Sequence, residues 1–431
     1  MALSSRVVAL VLLGLVPVGI WPGGWTVRLW MLLVLVVIGL DLLLAASPRR
    51  IAVSRRPLGK VRVGEETVSE LLVANPTGRP LCGLLRDAWQ PSAGASPDRM
   101  ALDVPAGERR IVRTRLRPTR RGDRLADRLT IRAFGPLGIA ARQASIPVPG
   151  TLRALHPFPA RRHIPSRLAQ LRQIDGRAAV RTRGQGTEFD SLRDYVDGDD
   201  VRSIDWRATA RRRALVVRTW QPEQHKRVVL VLDTSRTSAG RIGDQPRLDA
   251  AMDAALLLTA LAGHARDRVQ VVAGDQRVRA RVIGGGDAGS MLSATISALA
   301  PVDAEILEAN WDLLASEVSR LGRQRGLVVL FTPLESSAVE EGLVPVLPAL
   351  VARHRVVVAS VSDPEVLALR ADRSDAKAAY AAAAAERTLA LRARTAAALE
   401  AMGVTVLDAP PDRLPLVLAD HYLALKRAGL L

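Results

Sequence analysis

Two long apolar runs open this chain and constrain everything that follows them. Val7 to Trp21 is almost uninterrupted apolar sequence, and after Pro22-Gly23-Gly24-Trp25 a second run extends from Leu29 to Ala46, broken only by Asp41. A spanning helix needs about 20 mostly apolar residues, with a lower limit near 17. The second run meets that length, and the first meets it with Trp21 and Trp25 at the interface, where tryptophan is favoured. A central Asp costs roughly 2.5 to 3.5 kcal/mol, whereas the twelve Leu, Ile and Val residues of the run supply roughly 4 to 7 kcal/mol. Asp41 lies near one end, where the cost falls, and reads as a residue tolerated near the interface; an intramembrane polar role is the rival reading.

The rival to a first membrane helix is a cleaved signal peptide with Arg6 as its basic region, but no A-x-A-like site follows. Residues 1–48 therefore read as a transmembrane helical hairpin that meets the lipid bilayer through residues 7–46. Arg49, Arg50, Arg55, Arg56, Lys60 and Arg62 follow the second helix, against Arg28 alone in the short loop. The positive-inside rule then predicts a two-pass protein of the inner membrane with its soluble domains in the cytoplasm. Cys82 is the only cysteine, which excludes an intramolecular disulfide and a zinc site built on paired cysteines, and agrees with a reducing compartment.

The net charge of +18 invites a nucleic-acid reading. Yet of the 61 basic residues all but Lys60, Lys226, Lys377 and Lys426 are arginine, a skew that beside so many alanines reads as genomic composition. Aromatics at 3% are too few for the stacking platforms of single-strand binders. Apolar residues at 48% exclude wholesale disorder.

Residues 49–150 show short alternating segments between turn signals: Thr67 to Val73 runs into Asn75-Pro76-Thr77-Gly78, Ile111 to Leu116 follows Pro105-Ala106-Gly107, and Leu129 to Ala133 follows Arg120-Arg121-Gly122-Asp123. Such spacing predicts a small β-sandwich without chemistry of its own. Residues 151–225 form a connector, read as extended and polar up to Arg183. From 226 to 431 apolar strands alternate with helices: strands at Arg227 to Leu232, Val269 to Ala273, Leu327 to Phe331, Arg355 to Ser360 and Val404 to Leu407, an antiparallel return at Val278 to Ile283, and helices that include one long alanine-rich stretch from Glu365 to Ala401. The predicted fold class is α/β, a doubly wound, mostly parallel sheet. Ligands of such sheets sit outside the carboxyl ends of the strands.

Two constellations carry candidate chemistry. Asp233-x-Ser235-x-Thr237 stands where the first strand of that sheet ends, and a carboxylate with two hydroxyls on one loop supplies hard oxygen ligands suited to Mg²⁺. The other reading is a hydrogen-bonded Asx-type turn. The second is the block from Gly184 to Arg218, where acids at 188, 194, 197, 199, 200 and 205 interleave with arginines at 193, 202, 207, 211, 212 and 213. That density suits paired Arg–carboxylate bonds clasping the connector to the sheet; the functional alternative is a docking face anchored on Trp206 and Arg211. The histidines (156, 163, 225, 264, 354, 421) include no i, i+4 metal pair, and Gly284-Gly285-Gly286 lacks the Lys-Ser/Thr of a phosphate loop.

The ordered string Gly186-x-Glu188-Phe189, Leu192-Arg193-x-Tyr195, Gly198-Asp199-x-x-Arg202-x-Ile204-Asp205-Trp206, Ala208-Thr209-Ala210-Arg211 resembles the signature of the domain-of-unknown-function-58 family. That resemblance covers nearly the whole chain and implies a bacterial membrane protein whose last domain is von Willebrand factor A-like, often accompanying MoxR-type AAA+ ATPases. It also identifies Asp233, Ser235 and Thr237 with the first loop of a metal-ion-dependent adhesion site. Such a site takes further ligands from a threonine and an aspartate on later loops, yet Thr332-Pro333-Leu334-Glu335 after Phe331 offers no aspartate. The expected function is a membrane-tethered, non-enzymatic adaptor that grips a protein partner, a MoxR-type AAA+ ATPase by resemblance, at the carboxyl ends of the strands. Its alternatives are a nucleic-acid-binding membrane protein, whose affinity would fall steeply with salt, and a hydrolase using the acidic block.

Overall fold

A computed structural model of the protein describes residues 2–181, 188–197, 199–212, 214–221, 226–284, 287–320 and 324–431. The chain divides into two compact units, Met1–Pro157 and Phe158–Leu431.

The first unit begins with helices α1 (Ser5–Leu13), α2 (Leu15–Ile20) and α3 (Gly24–Leu44). The expected single first helix is split at Gly14 because Pro17 has no N–H and its ring crowds the carbonyl of Leu13, four residues back. Gly14 also leaves room for Trp30 of α3, since a Cβ there would meet the indole at 2.3 Å. The stretch Gly24–Arg50 is long and apolar enough to cross a membrane, with mean hydropathy 2.7. Leu32, Leu35, Val36 and Leu43 are exposed along it.

Strands β1 (Ala52–Arg55), β2 (Lys60–Arg62), β3 (Thr67–Ala74), β4 (Leu81–Trp89), β5 (Arg99–Val104), β6 (Arg109–Leu116), β7 (Gly122–Phe134) and β8 (Ala140–Leu155) complete the unit. They form two sheets. One runs Ala2–Leu3, β8, β7, β4, β5, with β2 also on β8; the other runs β1, β3, β6, Ala95–Ser96. Between them lies one apolar cluster in which Leu71 and Val73 of β3 meet Leu81 and Leu85 of β4 and Leu129 and Ile131 of β7. A polar clasp also joins the sheets: Arg55 donates to both oxygens of Asp87 at 2.9 and 2.7 Å, with the pair 4% and 0% exposed. Ser69 and the Trp89 indole complete it, the indole donating to Asp87 at 2.8 Å.

Asp41 corrects the expectation of a tolerated interfacial residue. It is fully buried, and its carboxylate accepts the backbone N–H groups of Leu137, Ile139 and Ala140, each at 2.8 Å. Gly135 allows this approach, since a Cβ there would lie 2.2 Å from the Asp41 carbonyl and carboxylate oxygens. The same β7–β8 turn holds the start of the chain: Leu3 pairs with Ala140, Ser4 donates to the Gly138 carbonyl at 2.8 Å, and Arg6 donates to that of Leu137 at 2.8 Å. Arg79 donates to the Leu43 carbonyl, one of the orphan acceptors at a helix end. Both ends of the apolar segment thus meet one turn.

The second unit begins with a helix, α4 (Ile164–Arg181), where an extended connector was expected. Leu168, Leu171 and Ile174 recur on one helical face, Leu171 is buried, and Arg167 pairs with Asp420 at 2.8 Å. A two-stranded ribbon follows, β9 (Glu188–Asp194) antiparallel to β10 (Val216–Gln221), with α5 (Trp206–Arg212) between them.

The main sheet comprises β11 (Arg227–Asp233), β12 (Arg268–Gly274), β13 (Val278–Ile283), β14 (Gly326–Phe331), β15 (Arg355–Val361) and β16 (Thr405–Ala409), in the order β13-β12-β11-β14-β15-β16. All neighbours are parallel except the edge strand β13. Helices α6 (Arg247–His264), α7 (Ala288–Leu299), α8 (Trp311–Arg320), α9 (Pro364–Ala371), α10 (Ala376–Ala401) and α11 (Leu414–Arg427) accompany it. Val229, Val231, Val328, Leu330, Val356 and Val358 share one face and pack with Trp311 and Leu314 of α8 and Leu399 of α10. Helix α6 is mostly apolar because it is enclosed all round: every residue from Ala250 to Ala262 is buried, with Asp253 accepting the Ala160 N–H and Thr259 donating to the Ala255 carbonyl. The expected helix from Glu365 to Ala401 is two, broken where Asp375 turns its carboxylate onto the Ala378 N–H at 2.6 Å and starts α10 afresh.

Candidate functional site

Strand β11 is a continuous apolar run buried on both faces, and it ends at Asp233 on the carboxyl edge of the sheet. The structure gathers the predicted residues there. Asp233 Oδ1 accepts the Ser235 N–H at 2.8 Å, and Oδ2 accepts the Thr237 hydroxyl at 3.1 Å. Ser235 and Thr237 share a further bond at 3.0 Å. A fourth residue, missed from sequence, joins them: Thr332, the first residue after β14, donates to Asp233 Oδ2 at 2.8 Å.

Asp233 is 1% exposed and Ser235 1%. Burial pushes the Asp233 carboxyl above its ordinary range, partly offset by the bonds from Ser235, Thr332 and Thr237. The turn brings together one carboxylate, that of Asp233, and the hydroxyls of Ser235, Thr237 and Thr332. Its single carboxylate already accepts on both oxygens, and among the described residues no group of three or more His, Cys, Asp or Glu side chains could hold a metal ion.

Above this closed turn lies an open rim. The loop Pro301–Asn310, which contains no threonine, is stapled across it: Glu305 N–H donates to the Thr234 carbonyl and Arg236 N–H to that of Leu307, both at 2.8 Å. Thr234 turns the other way and donates to Asp275 Oδ2 at 2.8 Å, where Arg279 also binds at 2.8 Å. Burial alone would raise the Asp275 carboxyl, but these two partners bring it below the ordinary range. Arg236 bonds Glu308, and Arg247 reaches Glu335 at 3.4 Å. On the same loop, between Glu305 and Glu308, Ile306 stands 88% exposed, with Leu307 next to it at 45%.

The signature residues form a separate constellation. Gly186, Thr187 and Gly198 lie outside the described residues, as do Gly285 and Gly286 and the side chain of Glu188. Arg193 pairs with Asp199 at 2.5 Å, and Asp199 also accepts the Val196 N–H at 3.0 Å. The Arg193 bond, ahead of that N–H, holds the Asp199 carboxyl below its usual range. Asp205 caps α5 by accepting the Arg207 and Ala208 N–H groups at 3.0 Å and binds Arg218 at 2.8 Å. The Ala208 N–H and then Arg218 lower its carboxyl. Tyr195 joins the ribbon through its backbone, which donates to the Leu215 carbonyl at 2.8 Å. Among the described residues Arg202, Arg207 and Arg211 form no ion pair, so the expected dense lattice reduces to local pairs that shape the ribbon. Trp206 is 66% exposed, and Val196 and Val201 are each 61% exposed.

Comparison with known proteins bears on this unit. Residues 191–402 match the family described as "Protein of unknown function DUF58". Among curated proteins none matches the chain. Solved structures with local likeness include the ASH/PapD-like domain of human CEP192 (11% identity over 24% of this chain and 84% of that one, TM-score 0.17). Others are the YadV chaperone (14% identity over 24% of this chain and 52% of that one, TM-score 0.17) and a β-glucosidase from Listeria innocua (13% identity over 23% of this chain and 16% of that one, TM-score 0.15).

Proposed function

We propose that the protein is a two-pass, membrane-anchored, non-enzymatic adaptor whose von Willebrand factor A-like domain lies in the cytoplasm and grips a protein partner without metal at the carboxyl edge of the sheet. The order β13-β12-β11-β14-β15-β16 with one antiparallel edge, and a hydroxyl-rich loop after β11, support the A-like assignment. The basic residues after α3, together with the return of the apolar segment to its starting turn, support the anchor and its orientation.

One observation carries the partner surface: Ile306 and Leu307 are exposed on a loop whose backbone is bonded to the Asp233 turn, flanked in sequence by Glu305 and Glu308, with Arg236 paired to Glu308 and near Glu335. An apolar anchor on a rigid support, ringed by polar groups, is the arrangement of an interface hot spot. The closed turn supplies the rigidity and the rim supplies the contact. By the family resemblance, the partner is a MoxR-type AAA+ ATPase.

The test uses the full chain in lipid nanodiscs and the purified MoxR-type ATPase of the same cell. Binding should weaken at least about tenfold in Ile306→Glu, the loss expected for a central anchor, and Thr332→Val should weaken it by loosening the turn. Absence of binding by the unaltered chain would remove that partner; binding that both variants leave unchanged would remove the surface.

A further inference from the structure

The opposite, amino-terminal edge of the same sheet holds a cavity of about 770 Å³, of the size that takes small ligands. Strands β11 and β12 begin side by side there, with Arg227 in register with Arg268, so two guanidinium groups share one face. Arg266 lines the same cavity from a left-handed position (φ 57°), a conformation that normally selects glycine after a helix. Among the described residues neither lining carboxylate pairs with Arg227 or Arg268. Asp267 is engaged by the Tyr422 hydroxyl at 2.6 Å and Lys426 at 2.9 Å, and Asp287 caps α7 through the Ser290 N–H at 3.2 Å.

Among the described residues, two polar groups in the lining lack partners. Arg227 Nε and Nη1 are buried without an acceptor, and Gln270 Oε1 is buried without a donor on a residue only 7% exposed. Buried donors and acceptors are ordinarily satisfied, so such orphans call for a ligand. Burial, and then the charge of Arg268, hold Arg227 below its usual range, as expected where no anion compensates.

We propose that this cavity is a binding site for a phosphate-bearing, hydroxylated small molecule of the glycerol-phosphate class, either free in solution or as a lipid headgroup. Paired guanidinium groups match a doubly charged phosphate ester better than a single carboxylate. The orphan Gln270 acceptor asks for a hydroxyl donor on the same ligand. The assignment is independent of the partner surface at the other edge.

The experiment is calorimetric titration of the full chain in detergent micelles with glycerol 3-phosphate and with inorganic phosphate, followed by melting curves in phosphatidylglycerol and phosphatidylcholine nanodiscs. Arg268→Gln and Arg227→Gln should each weaken glycerol 3-phosphate binding at least about tenfold, the worth of a charge-assisted bond. Gln270→Leu should bring glycerol 3-phosphate down to the affinity of inorganic phosphate, and Arg370→Gln, an exposed remote arginine, should change nothing. Arg268 is exposed and among the described residues makes no ion pair, so its variant keeps the test valid should Arg227→Gln fail to fold. Saturable binding of the free compound identifies a soluble ligand. A melting gain only in phosphatidylglycerol discs, lost in the same arginine variants, identifies a headgroup. Binding of neither, or a loss shared equally by Arg370→Gln, would overturn the proposal.

Discussion

Replacement of Asp41 by alanine offers the sharpest check on how the apolar segment is joined to its β-domain. The carboxylate is fully buried and satisfies three backbone donors at 2.8 Å in the turn Leu137–Ala140. Leaving a buried donor unpaired costs roughly 1 to 3 kcal/mol, so three lost bonds cost about 3 to 9 kcal/mol before relaxation. Water entering the vacated volume recovers part of this, giving an expected net loss of about 3 to 5 kcal/mol, the range for breaking a buried charged contact. Asp41→Asn should fall between the two, because its amide presents donors where one carboxylate oxygen accepted. Hydrogen–deuterium exchange of the full chain in nanodiscs reads the effect locally: the amides of Leu137, Ile139 and Ala140 should exchange roughly 100- to 5,000-fold faster in Asp41→Ala, with tenfold corresponding to about 1.4 kcal/mol. Amides of β11 and β14 in the second unit should keep their protection and serve as the internal reference. Unchanged exchange at the three amides, with an unchanged melting temperature, would show that the carboxylate does not hold the turn.

Other outcomes follow from the same reasoning. Asp87→Ala should cost about 3 to 5 kcal/mol because it strands the buried Arg55, whereas Arg55→Met with Asp87→Leu should recover much of that loss in denaturant unfolding; equal losses in single and double variants would argue against the clasp. Asp233 has a raised carboxyl, so its contribution to stability is complete below the unfolded value near 3.9 and is lost as pH rises through the folded value. Stability relative to Asp233→Asn should therefore decline between acid and neutral pH, and parallel pH profiles would contradict this. Burial first, and neighbouring arginines second, hold His354 and His421 below their usual range. Their contribution has the opposite sign, present above about pH 6.5 and lost as pH falls through the folded value, so replacing both with glutamine should flatten the acid limb of a melting-temperature profile. Gly135→Ala should destabilise the first unit, because its Cβ would meet Asp41 oxygens at 2.2 Å; a neutral result would mean the turn yields at little cost.

The alternation of apolar strands with helices from residue 226 onward, the antiparallel return at Val278 and the end of the first strand at Asp233 were all legible in the amino-acid order. They are local periodicities, and burial on one or both faces writes them directly into the chain. The same holds for the apolar runs at the start and for the grouping of Ser235 and Thr237 on Asp233, which needs only five consecutive residues. Helix α4 was missed because its apolar stripe is thin and its arginines dominate the composition, and the break before α10 because a run of alanines hides an N-cap.

What the three-dimensional structure alone decided are the meetings between distant polar atoms. Asp41 finds its donors 96 to 99 residues away, and Thr332 reaches Asp233 across 99 residues. The exposure of Ile306 depends on a loop pinned by backbone bonds that carry no side-chain signature, and Arg227 and Arg268 meet beside the cavity only because parallel strands place them in register. Periodicity tells which face of an element leaves water; it does not specify which donor will face which acceptor, and that pairing sets whether a carboxylate is a ligand, a cap or an anchor.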